Sequence, residues 1–153
     1  MDKPRLEDVA ADYLSGSNLT NLLDFAAWMR ANKITPTFGS QSKIGVSYTS
    51  HVLYVKLFRG SWQIWISGKH RKYGSGYVDD FLACKQLKEI VGQNLPPCRE
   101  TCKHNCNDGQ GHTVVVGGKK YERICGCCTV RFCCPTAETL CVIKRVIENR
   151  SKL

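Results

Sequence analysis

The chain has 153 residues, of which 42% are hydrophobic and 23% are charged, proportions that argue against disorder and suit one globular domain with or without a small appended module. Lysine and arginine number 22 and aspartate and glutamate 13, so the formal net charge is +9 and charge alone favours anionic partners. The opening MDKPRLEDVAADYL lacks the pattern of a secretory signal, and no segment approaches the roughly 18 apolar residues of a membrane span. We therefore expect a cytoplasmic protein without a membrane partner, in which ten cysteines indicate metal or redox chemistry more than disulfides.

Two helices are predicted first. One lies in LEDVAADYLS and ends at SGS, and the second lies in NLTNLLDFAAWMRANK, with Ser17 or Asn18 as its N-cap. Apolar residues that recur at helical spacing predict the buried face of the second helix: Leu19, Leu22, Leu23, Phe25, Ala26 and Met29.

Three consecutive strands are predicted next. The segment ITPTFGSQS ends the helix because it contains Pro36 and Gly39, and the hydrophobic period then changes to two. The strands are KIGVSYTS, HVLYVKLFRG and SWQIWISGK, and the short turns between them predict an antiparallel meander. In the third strand we expect one face to carry Trp62, Ile64 and Ile66 and the other to carry Gln63, Trp65 and Ser67.

A basic loop and a third helix are predicted in KHRKYGSGYVDDFLACKQLKEIVGQN. Free N–H groups and the helix dipole attract anions to a helix N-terminus. The residues of a candidate phosphate or carboxylate site therefore precede or begin this helix: Lys69, Arg71, Lys72, Ser75 and Gly76. The alternative is a solvated loop, and Cys84 on the helix is expected to be a small core residue.

The composition changes at Pro96, after which nine of the ten cysteines occur. A hairpin is predicted from TVVV and KYERIC around a Gly-Gly turn, with a further short strand in TVRF and a last helix, PTAETLCVIKRVIENRSKL, opened by Pro135. The predicted fold class is therefore α+β: an antiparallel meander packed with helices, a small cysteine-rich metal-binding module and a C-terminal helix. We place an α+β domain at residues 1–95 and the cysteine-rich module at residues 96–153, and expect them to pack as one unit.

The cysteine spacing predicts a metal site. Cys98, Cys102 and Cys106 lie four residues apart, so in a helical or turn-like segment their thiols share one side, and Cys125 ends the second strand of the hairpin. Four thiolates in a tetrahedron are typical of structural zinc. Substitute ligands are close in sequence, namely His104, His112, Cys127 and Cys128.

Other uses of the cysteines stay open. Four cysteines hold an iron–sulfur cluster equally well. Disulfide or thiol-redox use is a further alternative, with Cys127 and Cys128 as its best candidates, as are thiols without a metal. Cys133, Cys134 and Cys141 flank or lie in the last helix, where packing alone would account for them.

Several segments give the chain a resemblance to uncharacterised small bacterial α+β proteins with a cysteine-rich C-terminal region, sometimes found as effector-type domains beside transcription regulators. These segments are ITPTFGS, YVKLFRGSWQIWI, PPCRETCKHNC, GGKKYERIC and PTAETLCVIKRVIENR. The resemblance implies an α+β fold and a metal site at Cys98, Cys102, Cys106 and Cys125, because such proteins lack counterparts of Cys127, Cys128, Cys133 and Cys134. It implies no activity.

The function expected from these observations is a non-catalytic, zinc-stabilised module that binds a small ligand or a protein partner. In this hypothesis Tyr54, Trp62 and Trp65 wall an apolar pocket. One alternative is nucleic-acid binding through the basic surface. Another is thiol or iron–sulfur redox chemistry. An enzyme is disfavoured because the sequence has no nucleophile elbow, phosphate-binding loop or paired catalytic carboxylates.

Overall fold

The computed structural model of the chain describes residues 3–50, 53–66, 89–90, 92–95, 97–98, 111–116, 118–125 and 130–151. The chain divides into two compact units, Met1–Ile66 with Phe132–Cys141, and Ser67–Arg131 with Val142–Leu153. The division into an α+β domain at residues 1–95 and a cysteine-rich module at residues 96–153 stays a prediction. No helix among the described residues is long and apolar enough to cross a membrane.

Two helices begin the first unit, α1 at Leu6–Tyr13 and α2 at Gly16–Ala31. The expected N-cap of α2 at Ser17 or Asn18 was wrong, because Ser15 has an extended backbone and the helix begins directly after it. The buried face of α2 consists of Leu22, Phe25, Ala26 and Met29, whereas Leu23 is 38% exposed. An ion pair between Arg30 and Glu7 joins the two helices.

Four antiparallel strands follow: β1 at Thr37–Ser42, β2 at Gly45–Thr49, β3 at Leu53–Phe58 and β4 at Ser61–Ile66. The three predicted strands are therefore confirmed as β2, β3 and β4. The sequence reading missed β1, which lies in the segment expected only to end the helix. That strand is exposed along nearly its whole length and has no apolar alternation. Its strand conformation comes from its pairing with β2, which is interrupted by a bulge between Phe38 and Ser40.

The core of the first unit lies on one face of this sheet. Leu53, Val55 and Leu57 of β3 are fully buried, as are Trp62 and Ile64 of β4, with Ile66 nearly so. The ring of Phe25 in α2 lies 6.4 Å from that of Trp62, which packs the helix against this face. Burial of each large side chain of this kind contributes about 1.5–3 kcal/mol.

The alternation predicted for the third strand is confirmed from Trp62 to Ile66, while Ser67 lies outside the described residues, and it puts the two tryptophans on opposite faces. Trp62 is fully buried, while Trp65 is half-buried on the opposite face, beside Tyr54 on the neighbouring strand. The proposed pocket with Tyr54, Trp62 and Trp65 as walls was therefore wrong, because successive residues of a strand point to opposite faces of the sheet.

The hydroxyl group of Tyr48 in β2 forms hydrogen bonds to the segment that precedes α1. It donates to the carbonyl oxygens of Pro4 at 3.2 Å and Arg5 at 3.1 Å. Burial raises the pKa of Tyr48 above its usual value, and the nearby carboxylate of Asp8 raises that pKa further. The neutral phenol is therefore the form that the folded chain favours.

A hairpin of β5 at His112–Val116 and β6 at Lys119–Ile124 forms the small sheet of the second unit. The predicted short strand in TVRF is β7, at Val130–Cys133, and it extends the large sheet, whose order is β1-β2-β3-β4-β7. The structure therefore confirms the α+β class with an antiparallel sheet.

The C-terminal helix α3 spans Ala137–Ser151 and is confirmed. Thr136 is its N-cap, since its hydroxyl accepts the backbone N–H of Thr139 at 3.2 Å. Pro135 therefore precedes the cap and does not open the helix, which corrects the prediction. The buried residues of the helix recur at helical spacing: Leu140, Ile143, Val146 and Ile147. Helical structure is also present at residues 89–90 and 92–93, within the third predicted helix.

Candidate metal centre

A bulge shapes the end of the β5–β6 hairpin. His112 pairs with Ile124 and Val114 pairs with Tyr121, so two residues of β6 oppose one of β5 between these pairs. Arg123 accommodates the extra residue of β6 by adopting a left-handed backbone conformation, with a φ of 57°. A bulge of this kind re-aims the backbone groups beside it and ends regular pairing.

The segment at residues 97–98 pairs with the free side of β6 at this bulge. Pro97 forms an isolated antiparallel bridge with Ile124, and the backbone N–H of Cys98 donates to the carbonyl oxygen of Arg123 at 2.6 Å. Because Pro97 has no N–H, it suits a paired position that needs no donor from that residue. Ile124 is thereby held between Pro97 on one side and His112 on the other.

This pairing places Cys98 and Cys125 next to the two bridged residues, Pro97 and Ile124. In a regular antiparallel pair the residues that follow the two partners lie on one face, so we expect this register to bring the two cysteines to one side of the bridge. Diagonal neighbours of this type lie about 7–8 Å apart, which two thiolates can span around one ion with metal–sulfur bonds of about 2.3 Å. Both residues are buried: 5% of the surface of Cys98 and 6% of that of Cys125 is exposed.

Gly111 allows the close approach of these segments. Its φ is +74°, and a Cβ atom there would lie 2.8 Å from the Cβ of Cys98 and 2.7 Å from the carbonyl carbon of Arg123. A side chain at position 111 would therefore push Cys98 away from the backbone of Arg123.

Residues 90 and 92–95 contact each other, the hairpin and β7. The ring of Tyr121 packs against Gly92, and the backbone N–H of Arg131 donates to the carbonyl oxygen of Asn94 at 3.1 Å. The carbonyl oxygen of Ile90 in turn accepts the side-chain amide of Asn94 at 2.8 Å. These contacts position the chain just before Cys98.

The exposed side of β6 is basic. Lys119, Lys120 and Arg123 are exposed, and Lys120 pairs with Glu122 at 2.8 Å. The hydrogen bond and positive charge of Lys120 lower the pKa of Glu122. Four thiolates around one divalent ion carry a net charge of −2, so a basic strand next to Cys125 is electrostatically compatible with such a site.

The other predicted ligands, Cys102 and Cys106, lie outside the described residues, as do Cys127, Cys128, His104 and the side chain of His112. Among the residues that the structure describes, no group of three or more His, Cys, Asp or Glu side chains is placed to hold a metal ion. The four-cysteine set therefore stays a prediction, and Cys98 and Cys125 are its two members within the described residues. The candidate anion site also falls outside the described part of the chain, at Lys69, Arg71, Lys72, Ser75 and Gly76.

The remaining described cysteines belong to the first unit. Cys133 ends β7 and is exposed, and Cys141 is exposed on α3. Cys134 is half-buried, has a φ of 43°, and donates its backbone N–H to the carbonyl oxygen of Trp62 at 2.8 Å. This hydrogen bond therefore holds the backbone at Cys134 next to β4.

Sequence reasoning missed Gly92, Gly111, Tyr121 and Arg123, the residues that shape the surroundings of the two cysteines. Gly111 was visible only as part of the glycine-bearing segment NDGQGH, and nothing local distinguishes Arg123 from an ordinary strand residue. No protein-family model, curated protein or solved structure matches the chain.

Proposed function

We propose that this chain is a zinc-binding protein in which Cys98, Cys102, Cys106 and Cys125 hold a structural zinc ion. In this proposal the zinc-stabilised domain is a non-catalytic module for a ligand or a partner protein. The observation that carries the proposal is the burial of Cys98 and Cys125, each next to one partner of the bridge between Pro97 and Ile124.

The donor chemistry favours zinc among the common divalent ions. Calcium and magnesium take oxygen ligands, whereas cysteine thiolates are soft ligands that suit zinc and iron–sulfur clusters. Zinc bound by four cysteines has no open position for substrate or water, which is why the proposed role is structural and non-catalytic.

A metal ion at this place would join segments that are distant in sequence. Among the described residues, the pairing between residues 97–98 and β6 includes one bridge and the hydrogen bond from Cys98 to Arg123. Free energy of metal binding is also free energy of folding when the unfolded chain lacks the site. Zinc would therefore stabilise the contact of the hairpin with the segment that precedes it.

The test is the metal content of protein purified anaerobically with reductant, measured together with its absorption spectrum and its unfolding by a zinc chelator. We expect one zinc ion per chain and no visible colour. Replacement of Cys98, Cys102, Cys106 or Cys125 by serine should lower the zinc content and the stability. The matched controls Cys133→Ser and Cys141→Ser, at exposed cysteines, should retain both.

The other outcomes are equally informative. A brown, iron-containing protein with sulfide would replace the zinc proposal with an iron–sulfur cluster at the same cysteines. A protein without metal would overturn the proposal, and so would a zinc content that the Cys98→Ser and Cys125→Ser variants leave unchanged.

A further inference from the structure

The outward face of β3 and β4 carries two neighbouring aromatic rings. Tyr54 is 38% exposed and pairs directly with Trp65, while Thr49 of β2 lies on the other side of Tyr54. Directly opposed residues of an antiparallel pair have Cβ atoms about 4.5–5.5 Å apart. The two rings therefore form adjacent parts of one surface.

Polar side chains fix the position of Trp65 within that surface. Its indole N–H donates to the side-chain oxygen of Gln63 at 2.8 Å, and the ammonium group of Lys56 lies 3.6 Å from its ring centroid. Lys56 pairs with Gln63 in the sheet, with Ser47 on its other side. A row of cationic and hydrogen-bonding groups thus runs beside the aromatic row.

The lysine and arginine side chains in and around these strands are not accompanied by carboxylates. Residues 25–78 contain no aspartate or glutamate, although they contain eight cationic residues: Arg30, Lys33, Lys43, Lys56, Arg59, Lys69, Arg71 and Lys72. Within β1 to β4 and the described turns between them, the charged residues are Lys43, Lys56 and Arg59. An anionic ligand would meet no carboxylate on these strands, whereas a cationic ligand would be repelled by Lys56.

Aromatic rings beside a cation distinguish a nucleic acid from other polyanions. Each base that stacks on an aromatic side chain strengthens binding by roughly five- to a hundredfold. An exposed contact between a cation and an aromatic ring is worth only about two- to fivefold. A base that stacks on Trp65 takes the place of Lys56 over the ring, where the ammonium group lies close enough to pair with the phosphate of the same strand. A base must be unpaired to stack in this way, because duplex bases already stack on each other.

From this arrangement we infer that the outward face of β3 and β4 binds single-stranded nucleic acid. Tyr54 and Trp65 stack on two unpaired bases, and Lys56 pairs with the backbone phosphate. The inference rests on the proposed role of the chain as a binding module and names its partner. It does not depend on zinc, since every residue it uses lies in β3 and β4.

The test uses the full chain and fluorescein-labelled oligothymidylate and oligouridylate of about twelve nucleotides, a length within the site sizes of single-strand binders. Fluorescence anisotropy at several salt concentrations gives the dissociation constants. We expect Tyr54→Ala and Trp65→Ala each to weaken binding about fivefold or more, and Tyr54→Phe and Trp65→Phe to retain most of it. Lys56→Ala should reduce the salt slope by about 0.7, the value for one phosphate contact on a single strand. The matched control Lys43→Ala, with the same charge change in an exposed turn, should have a smaller effect on affinity.

Four results would overturn the inference: no binding of either oligonucleotide, wild-type affinity in both alanine variants at Tyr54 and Trp65, equal competition by inorganic polyphosphate, or preferential binding of anionic lipid vesicles. Circular dichroism of each variant verifies that it is folded. Metal content, measured on the same samples, separates the two proposals. A chain that contains zinc but does not bind oligonucleotides would overturn this inference alone. A chain that contains no zinc but binds oligonucleotides as described would overturn only the zinc site.

Discussion

The ring of Tyr121 lies directly against Gly92, so that a Cβ atom at Gly92 would lie 2.4 Å from both the Cζ and the hydroxyl oxygen of Tyr121. Gly92 is buried and helical, and Tyr121 belongs to the hairpin strand β6. The hydroxyl of Tyr121 is buried and has no hydrogen-bond partner among the described residues. Packing of the Tyr121 ring, rather than a hydrogen bond from its hydroxyl, therefore holds the hairpin against Gly92.

The first prediction concerns Gly92→Ala. Alanine normally stabilises a helix relative to glycine by about 1 kcal/mol. Here we expect a net loss of about 1–3 kcal/mol in the free energy of unfolding, because the methyl group would force the ring of Tyr121 to move. Urea unfolding measures the change. In a Tyr121→Ala background the same substitution should be neutral or stabilising, and an equal loss in both backgrounds would contradict the packing explanation.

The second prediction compares two glycines of the hairpin region with positive φ. Gly111 and Gly118 have φ values of +74° and +80°, but only Gly111 has neighbours that a Cβ would meet. Alanine at either position should cost about 1 kcal/mol through backbone strain. Gly111→Ala should cost about 1–3 kcal/mol more, because it displaces Cys98 from Arg123.

Zinc affinity provides a second readout for this pair of variants. If Cys98 is a ligand, competition with a chelator should show weaker zinc binding for Gly111→Ala and little change for Gly118→Ala. Equal free energies of unfolding for Gly111→Ala and Gly118→Ala would show that Cys98 and Arg123 leave room for a methyl group at position 111.

The third prediction concerns the hydroxyl of Tyr48, which donates to the carbonyl oxygens of Pro4 and Arg5. Tyr48→Phe should cost about 1 kcal/mol near pH 8. Since the pKa of Tyr48 is raised in the folded chain, the stability contributed by its neutral form is present below about pH 10 and is lost as the pH rises through the folded-state pKa. Urea unfolding of both proteins from about pH 8 to 11 should therefore show a stability difference that shrinks with alkaline pH. A difference independent of pH would argue against the raised pKa.

The fourth prediction concerns the N-cap of α3. Thr136→Ala removes the hydroxyl that accepts the N–H of Thr139, and we expect a loss of about 1 kcal/mol in the free energy of unfolding. Thr136→Ser keeps the oxygen atom and should retain most of the stability. Thermal unfolding of the two variants makes the comparison, and equal losses would show that the methyl group of Thr136, not its hydroxyl, matters.

Much of the fold was readable from the sequence, because local periodicity reports which residues share a face. The alternation in SWQIWI predicted that Trp62 and Ile64 share one face of the strand and that Trp65 lies on the other, and the structure confirms this. The period of Leu140, Ile143 and Ile147 likewise predicted a helix with one buried face. In both cases the pattern lies within a few residues of the chain, and burial of one face is sufficient to select the element.

Tertiary structure decided the features that depend on a distant partner. Strand β1 has no apolar alternation and exists through its pairing with β2, and β7 joins the large sheet although it follows the hairpin in sequence. The surroundings of Cys98 and Cys125 have the same origin. The cysteine spacing and the predicted hairpin suggested that the two share a metal, which stays a prediction, whereas the bridge between Pro97 and Ile124, the left-handed Arg123 and the missing side chain of Gly111 set the backbone beside them. Such contacts depend on the geometry of backbones that are far apart in sequence, and no local pattern of side chains encodes that geometry.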